Sequence, residues 1–173
     1  MSESDEGVPR PQRAIVTSAS AAYIQRGDGK VLLVHHAGTG YWVAPGGKTD
    51  EHETPFQCCE REAREETGVP VTPGRLLVVQ WLPGGQLGTY KNPYPCHLFL
   101  FAATIAPQDV DRIQVPEREL LGWKWVDPDH APALMDGTNA ALFTAALKVM
   151  SGAAAAPVYL EGRHAPTAVP AVE

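Results

Sequence analysis

The order of strand-like and helix-like segments in this sequence predicts an α/β or α+β sandwich that contains a mixed β-sheet. Strands, a helix, further strands and a second helix follow one another, and several of the strands are joined by hairpins instead of helical crossovers. No strand is followed by the glycine motifs G-x-G-x-x-G or G-x(4)-G-K-[ST], which disfavours a doubly wound nucleotide-binding fold. A length of 173 residues with 44% hydrophobic residues suits a single domain.

Two antiparallel strands joined by a hairpin are predicted near the start of the chain. Residues 14–26 are rich in Ala, Ser and Ile, and residues 27–29, Gly-Asp-Gly, form a strong turn signal before the apolar residues 31–34. A short apolar segment at residues 41–44 then stops at a Pro-Gly-Gly sequence, residues 45–47. Proline lacks a backbone donor and glycine permits close backbone approaches, so the chain is expected to change direction there.

The first helix has well-marked ends. Thr54 suits the N-cap, Pro55 suits the first helical position, and Gln57 stands where a capping box requires it. Gly68 is placed to end the helix in a left-handed conformation, and Pro70 prevents the helix from continuing. An apolar stripe at spacings of three and four residues is expected to pack on the sheet, and its members are Phe56, Cys59 and Ala63.

The remainder of the domain is expected to contain three more strands and a second helix. A glycine- and proline-rich segment, residues 83–95, predicts a long hairpin loop, and residues 106–118 predict a second loop. The strands are predicted at residues 75–82, Cys96–Ile105 and Leu120–Val126, and an amphipathic helix is predicted at residues 139–150.

The two ends of the chain differ in composition from its centre. Residues 1–13 are charged and lack apolar periodicity, so they are predicted to be a disordered leader. Residues 14–150 form the predicted domain. Residues 151–173 are rich in Ala and Pro and are predicted to be a mostly flexible tail, in which residues 158–160 have the composition of a short strand.

Composition and charge exclude several classes of partner. Fourteen Lys and Arg against 20 Asp and Glu give a formal net charge of −6, so no basic face is expected to bind polymeric nucleic acid or an anionic membrane. No secretion signal or membrane-length apolar stretch is present in the sequence, which predicts a cytoplasmic protein. The three cysteines match neither a disulfide framework nor a zinc-binding spacing and are interpreted as reduced thiols.

Carboxylates crowd onto one face of the first predicted helix. Glu62, Glu65 and Glu66 are three and four residues apart, so at about 100° per residue their side chains share one face. Like charges at these spacings destabilise a helix by a few tenths of a kcal/mol per pair unless a cation lies among them. An all-oxygen ligand set predicts Mg²⁺, with Mn²⁺ as a substitute, and these ions commonly bridge to substrate phosphates.

Residues 47–69 resemble the signature of a known family. Gly47, Glu53, the run Arg61 to Glu66, Gly68 and Val69 fit the pattern G-x(5)-E-x(7)-R-E-U-x-E-E-x-G-U, in which U is an apolar residue. This pattern is the Nudix box, and every specified position agrees. The chain is therefore identified as similar to Nudix hydrolases. The resemblance implies an α/β/α sandwich with a mixed sheet, covering about residues 14–150, and a loop-helix-loop box that binds the metal.

The resemblance also assigns roles to residues of the box. It implies that Glu62, Glu65 and Glu66 are metal ligands, with the Gly47 carbonyl as a further candidate. Glu53 and Arg61 are expected to form an ion pair that orients this face. The implied activity is Mg²⁺-dependent hydrolysis of a diphosphate linkage in a nucleoside diphosphate derivative, a nucleoside triphosphate or a similar small organic diphosphate, by water attack at phosphorus.

The general base and the substrate contacts are less well defined by the sequence. In Nudix enzymes the base is often a glutamate of the box, which makes Glu65 and Glu66 candidates, or one from a later loop. In the segment before the last predicted strand, Glu119 and Glu117 are the later-loop candidates. Aromatic residues stack on bases, so three of them are candidates for substrate binding. They are Trp81, Tyr90 and Tyr94.

Two other functions remain open from the sequence. One is a Nudix module that senses a nucleotide without cleaving it, and the other is an isoprenoid-diphosphate isomerase on the same fold. The intact box favours hydrolysis over both. A homodimer is also compatible with the resemblance and with the frequency of twofold assemblies among soluble proteins.

Overall fold

A computed structural model describes residues 14–87 and 90–162, and for residues 86, 87 and 90–92 it describes the backbone alone. The predicted leader at residues 1–13 and the last 11 residues of the predicted tail lie outside the described residues. Ten strands, two α-helices and two 3₁₀ helices make up the described chain.

The strands alternate with the helices in the predicted order. The first group is β1 Thr17–Ile24, β2 Val31–His36, β3 Trp42–Val43 and β4 Gly46–Lys48. After the first helix come β5 Val71–Leu82, β6 Gly85–Leu87, β7 Tyr90–Asn92, β8 Cys96–Ile105, β9 Leu120–Val126 and, last, β10 Val158–Glu161. The short strand expected at residues 158–160 is thus present as β10.

The helices lie close to their predicted positions. The first, α1, is Pro55–Thr67, and the second, α2, is Gly137–Met150, which begins two residues before the prediction because Asp136 caps it through Thr138 and Asn139. The 3₁₀ helices are Pro107–Arg112 and Pro128–Leu134. The first of them lies in a segment predicted as a loop, because a 3₁₀ helix of six residues is too short to show an apolar period along the sequence.

A mixed five-stranded sheet forms the centre of the fold, in the order β10-β5-β8-β1-β4. Strand β8 is parallel to β1 and antiparallel to β5, whereas β10 is parallel to β5 and β4 is antiparallel to β1. The mixed sheet expected from the sequence is therefore confirmed. Strand β5 begins at Val71, four residues before its predicted start, after the proline that follows α1.

A second sheet of three strands, in the order β3-β2-β9, changes one prediction. The turn between β1 and β2 forms as expected, with the Arg26 N–H donating to the Lys30 carbonyl at 2.8 Å. The two strands then diverge into different sheets and share only an isolated bridge between Gln25 and Val31. The predicted β1–β2 hairpin is therefore wrong beyond its turn, because β1 pairs with β8 and β2 pairs with β9 instead of with each other.

Alternate residues of β1 supply the two apolar layers. Tyr23 packs with α2 in one core, and its ring lies 5.1 Å from that of Phe143. Ala22 and Ile24 pack with α1 in the other core. This alternation places one helix on each face of the sheet, as the period of two along a strand requires.

The apolar stripe of α1 packs on the sheet as predicted, with different degrees of burial along its length. Cys59 and Ala63 are fully buried against the sheet. Phe56 also contacts the sheet, edge-on to Phe101 of β8, but it lies at the rim and is 44% exposed. Neither α-helix in the described part of the chain is long and apolar enough to cross a membrane.

Candidate active site

Capping fixes where α1 begins and ends, and burial of Cys59 and Ala63 against the sheet sets the directions of its glutamates. Thr54 Oγ1 accepts from the Gln57 N–H at 3.3 Å, and the Thr54 N–H donates to Gln57 Oε1 at 3.0 Å, which completes the predicted capping box. Gly68 adopts φ 70° and donates to the Arg64 carbonyl at 2.8 Å. The helix boundaries predicted from the sequence are confirmed.

The loop before α1 is held against the sheet by two glycines that leave no room for side chains. A Cβ at Gly46 would lie 2.3 Å from the Ser20 carbonyl oxygen, since β4 pairs directly with β1. A Cβ at Gly47 would lie 2.3 Å from Glu62 Cδ. Because Gly47 has no side chain, the Glu62 carboxylate of α1 fits against the backbone there.

Arg61 lies at the centre of the carboxylates. Its Nε donates to Glu53 Oε1 at 2.8 Å and its Nη2 donates to Glu53 Oε2 at 2.9 Å, which is the predicted ion pair in a bidentate form. Nη2 also donates to the Lys48 carbonyl at 3.0 Å. These bonds hold the loop that follows β4 against α1, and they lower the pKa of Glu53 to about 2.

The same guanidinium also reaches two of the predicted metal ligands. Arg61 Nη1 donates to Glu62 Oε1 at 2.8 Å and to Glu65 Oε2 at 3.2 Å. The family pattern pairs Arg61 with Glu53 alone and does not predict these contacts, although the i, i+4 spacing of Arg61 and Glu65 permits one of them. In this structure the cation among the carboxylates is thus Arg61.

Glu66 is the carboxylate that Arg61 does not neutralise. Glu66 is only 6% exposed, and its Oε2 accepts a hydrogen bond from the Gly46 N–H at 2.8 Å. Burial raises the pKa of Glu66 to about 8, and the charges of Glu62, Glu119 and Glu65 add to that rise. A buried acid with excess negative charge around it is a site where a bound cation gains a large interaction energy.

The contribution of Glu119 to the pKa of Glu66 shows where the later loop lies. Glu119 is exposed and immediately precedes β9, and its carbonyl accepts from the Ala37 N–H at 2.9 Å. Among the later-loop candidates, its charge is the one that acts on Glu66. The fold therefore brings Glu119 toward the carboxylates of α1, across about 50 residues of sequence.

The donor set fits a hard divalent cation, although it is not preassembled around one point. Among the residues that the structure describes, no three His, Cys, Asp or Glu side chains converge as a metal-binding group. The cause is visible in the contacts, because Arg61 holds Glu62 and Glu65 while Gly46 holds Glu66. The residues that would hold the ion are Glu62, Glu65 and Glu66, with the Gly47 carbonyl, and all of them supply oxygen.

A cavity of about 320 Å³ opens beside the Gly46–Lys48 strand. Its walls come from β1, β4, the end of β5, the first part of β8 and the start of α2. Asn139 donates from Nδ2 to Asp136 Oδ2 at 2.7 Å, so its amide oxygen is the atom left to accept from a ligand. The residues that line the cavity include Ala21, Gly47, Lys48, Leu82, Leu98 and Asn139. Asn139 is not among the site residues predicted from the sequence, where its one signal is its position in the first turn of a capped helix.

The aromatic residues predicted to bind substrate lie elsewhere or outside the described side chains. Trp81 lines a different cavity, on the edge of the sheet. Tyr94 is 43% exposed in the segment before β8. The backbone of Tyr90 belongs to β7, and its side chain lies outside the described residues.

Replacement of Gly47 by alanine is expected to reduce turnover by about 10²-fold. The added Cβ would overlap the Glu62 carboxylate and displace it from the ligand face, and misplacement of a preorganised group by about 1 Å has a cost of this order. Turnover of the purified variant at saturating Mg²⁺ tests the expectation. Gly27→Ala is the matched control, because a Cβ there meets no atom within 4 Å. Equal activity of the two variants would contradict it.

Comparison with known proteins places the chain in a family. The family model for the NUDIX domain matches residues 16–147. An RNA pyrophosphohydrolase of Erythrobacter litoralis (strain HTCC2594) is 30% identical over 119 residues, which cover 63% of this chain and 73% of that protein. A MutT-like protein of Streptomyces ambofaciens is 33% identical over 92 residues, which cover 53% of this chain and 51% of that protein.

Solved structures agree with the sequence relatives. The crystal structure of a UDP-X diphosphatase superposes with a TM-score of 0.67 and 22% identity, over 88% of this chain and 70% of that chain. At that identity the likeness establishes the fold. The chain therefore belongs to the Nudix family, and the predicted family and α/β/α fold are confirmed. Nudix hydrolases generally use a divalent metal, which agrees with the all-oxygen donor set described above.

Proposed function

We propose that this protein is a Mg²⁺-dependent Nudix hydrolase that cleaves a diphosphate linkage by water attack at phosphorus. Its substrate is a nucleoside diphosphate derivative, a nucleoside triphosphate or a similar small organic diphosphate. The observation that carries the proposal is Glu66, a buried carboxyl whose pKa is raised to about 8 beside Glu62 and Glu65, within a complete box. The names of the sequence relatives, an RNA pyrophosphohydrolase and a MutT-like protein, support a phosphoanhydride substrate.

Glu62, Glu65, Glu66 and the Gly47 carbonyl are the proposed ligands of Mg²⁺, for which Mn²⁺ can substitute. When bound, such an ion polarises phosphoryl oxygens and lowers the pKa of a coordinated water. Arg61 must give up its hydrogen bonds to Glu62 and Glu65 before these carboxylates can bind the ion. Its bidentate bond to Glu53 keeps the guanidinium beside the site. Glu53 and Arg61 are thus positioning residues in this proposal.

The cavity beside β4 is the proposed place for the organic part of the substrate. It adjoins Gly46 and Gly47, so a ligand within it has its phosphates beside the carboxylates of α1. Leu82, Leu98 and Ala21 offer apolar walls, and the Asn139 amide oxygen offers a hydrogen-bond acceptor. Trp81, Tyr90 and Tyr94 stay predictions as substrate-binding residues, and neither Trp81 nor Tyr94 is among the described residues that line this cavity.

The proposal also covers the cellular location, the kind of partner, the domain bounds and the oligomeric state. We assign it to the cytoplasm, since Cys58, Cys59 and Cys96 are all free thiols. The net charge of −6 favours a small substrate over polymeric nucleic acid or a membrane as partner. The hydrolase domain is taken as residues 14–150, and a homodimer is an expectation from the frequency of twofold assemblies.

A substrate panel with resolved products tests the proposal. Purified protein with Mg²⁺ is incubated with nucleoside triphosphates, ADP-ribose, dinucleoside polyphosphates, isoprenoid diphosphates and a short 5′-triphosphorylated RNA, the last because of the RNA pyrophosphohydrolase relative. Release of a phosphate-containing product that disappears in the Glu66→Gln variant supports hydrolysis. Rearranged isoprenoid diphosphate supports an isomerase instead, and tight binding without any product supports a nucleotide sensor.

The two later-loop glutamates give a matched pair for finding the general base. Glu119→Gln is expected to reduce turnover by about 10²-fold or more, the usual contribution of a general base, because the charge of Glu119 acts on Glu66. Glu117→Gln is expected to change turnover less than twofold. Steady-state rates of both variants across pH 6 to 9 provide the measurement. If both variants keep wild-type rates, the base lies in the box, at Glu65 or Glu66.

A further inference from the structure

A second cavity, of about 480 Å³, lies at the β10 edge of the five-stranded sheet. Register places Glu161 of β10 opposite Trp81 of β5, and Trp81 opposite His97 of β8. A carboxylate, an indole and an imidazole therefore form one row across three adjacent strands. Tyr159, two residues before Glu161, projects from the same face because side chains alternate along a strand.

This cavity and the one beside β4 lie on opposite faces of the sheet. Leu82 and Leu98 line the cavity beside β4, whereas their chain neighbours Trp81 and His97 line the edge cavity. Consecutive residues of a strand point to opposite faces. A ligand in the edge cavity therefore does not share the apolar wall proposed for the substrate of the box.

Flat aromatic surfaces dominate the edge cavity. The rings of Trp81 and His97 lie 4.8 Å apart between centroids, at 58°. Tyr159 is 56% exposed, although large aromatic side chains are usually well buried. The Gly162 N–H donates to the Trp81 carbonyl at 2.8 Å, and a Cβ at Gly162 would lie 2.7 Å from that oxygen. Strand β10 is thus fastened to β5 at the point where the cavity forms.

The charge of the residues that line the edge cavity determines which flat ligands it favours. Glu161 supplies a carboxylate, which only accepts hydrogen bonds. Neither Lys nor Arg is among the described residues that line the cavity. Among the described lining residues Glu161 carries the formal negative charge, so the group that best matches it is an aromatic ring whose edge carries adjacent N–H donors.

We propose that the edge cavity is a binding site for a guanine base. The ring stacks on Trp81 and Tyr159, and its N1–H and exocyclic N2–H donate side by side to the two oxygens of Glu161. Adenine presents an acceptor next to its amino donor on that edge, and hypoxanthine lacks the exocyclic amine. Both purines keep the stacking but lose all or part of the paired hydrogen bond, so they bind more weakly. This site does not depend on the proposed hydrolysis.

Nucleosides provide a test that excludes phosphate binding at the box. Guanosine, inosine and adenosine are titrated into the full chain without added metal, and binding is followed by calorimetry and tryptophan fluorescence. Guanosine is expected to bind with a Kd below about 1 mM and about tenfold more tightly than inosine, the effect of one hydrogen bond to a charged group. Absence of guanosine binding up to 10-fold above that concentration would overturn the proposal.

Variants locate the bound base. Glu161→Gln is expected to weaken guanosine binding about tenfold without weakening adenosine binding, because a glutamine amide can accept from the adenine amino group and donate to the adjacent ring nitrogen. Tyr159→Leu is expected to weaken both by about 5- to 100-fold through lost stacking. Glu60→Gln, an exposed glutamate on α1, is the matched control and should change neither. A loss caused by Asn139→Ala but not by Glu161→Gln would put the base in the cavity beside β4. Equal affinity for guanosine and inosine, or tighter binding of methylguanidine than of guanosine, would also refute a guanine site.

Discussion

Replacing Glu66 by glutamine is expected to reduce turnover by about 10³-fold while stabilising the metal-free protein at alkaline pH. Glutamine keeps the size of the side chain and an oxygen that accepts from the Gly46 N–H, but it removes the charge that a cation or a catalytic proton transfer requires. Steady-state rates at saturating Mg²⁺ measure the first effect. Thermal unfolding with a chelator present measures the second.

The direction of the stability effect follows from the raised pKa of Glu66. The folded protein holds this proton up to a pKa of about 8, whereas the unfolded chain releases it near 4.5. The wild type is therefore most stable below about pH 4.5 with respect to this group, and it loses stability as the pH rises toward 8. Each pH unit within that window contributes at most about 1.4 kcal/mol.

The Glu66→Gln variant lacks this titration, so its advantage in unfolding temperature over the wild type should grow from pH 5 to pH 8. Addition of Mg²⁺ should stabilise the wild type and leave the variant almost unchanged. Glu60→Gln, at an exposed position of the same helix, is the control. A pH-independent difference between Glu66→Gln and the wild type would show that Glu66 is ionised in the metal-free fold, against its burial.

Replacing Arg61 by methionine is expected to destabilise the protein by roughly 2 to 3 kcal/mol and to reduce turnover by at least about 10²-fold. Removing one partner of a buried ion pair costs about 3 to 5 kcal/mol, and this pair is only partly buried. The Glu53 side chain is 13% exposed, and without Arg61 it has lost its bidentate partner. Glu62 and the Lys48 carbonyl lose bonds to the same guanidinium.

Acid unfolding provides a specific check on this second expectation. Because Arg61 lowers the pKa of Glu53 to about 2, the wild type gains stability from the pair above about pH 4.5 and loses it as the pH falls from 4.5 toward 2. The Arg61→Met variant should show a flatter dependence across this range. Arg64→Met, at an exposed position of α1, should behave as the wild type in both assays. Equal loss in the two variants would indicate a general effect on the helix.

The local features of the site follow from sequence because they depend on neighbours within one helical turn. The Thr54 cap, the Gly68 end of the helix and the shared face of Glu62, Glu65 and Glu66 are of this kind. Arg61 and Glu53 are eight residues apart, and they were paired through the family pattern rather than through local geometry. The further contacts of Arg61 depend on its rotamer, which neighbouring charges select in the folded chain.

Placement of the strands shows where local reasoning fails. The turn at Gly29 was correct, yet the strands on either side of it joined different sheets, because pairing with distant strands outweighed pairing across the turn. The same long-range pairing brings the loop of Glu119 toward Glu66 and the start of α2 beside Gly47. It also carries Trp81 to the edge of the sheet, away from the cavity next to the box.

The family, the ends of α1 and the carboxylates that share its face follow from the sequence alone, since all of them depend on residue spacing within the short stretch from β4 to the end of α1. Tertiary packing makes Arg61 the cation among those carboxylates and, through burial, raises the pKa of Glu66 to about 8. It also decided which cavity adjoins the box and which lies on the opposite face. Burial and long-range charge depend on how distant segments pack, and that packing is not encoded in any single stretch of residues.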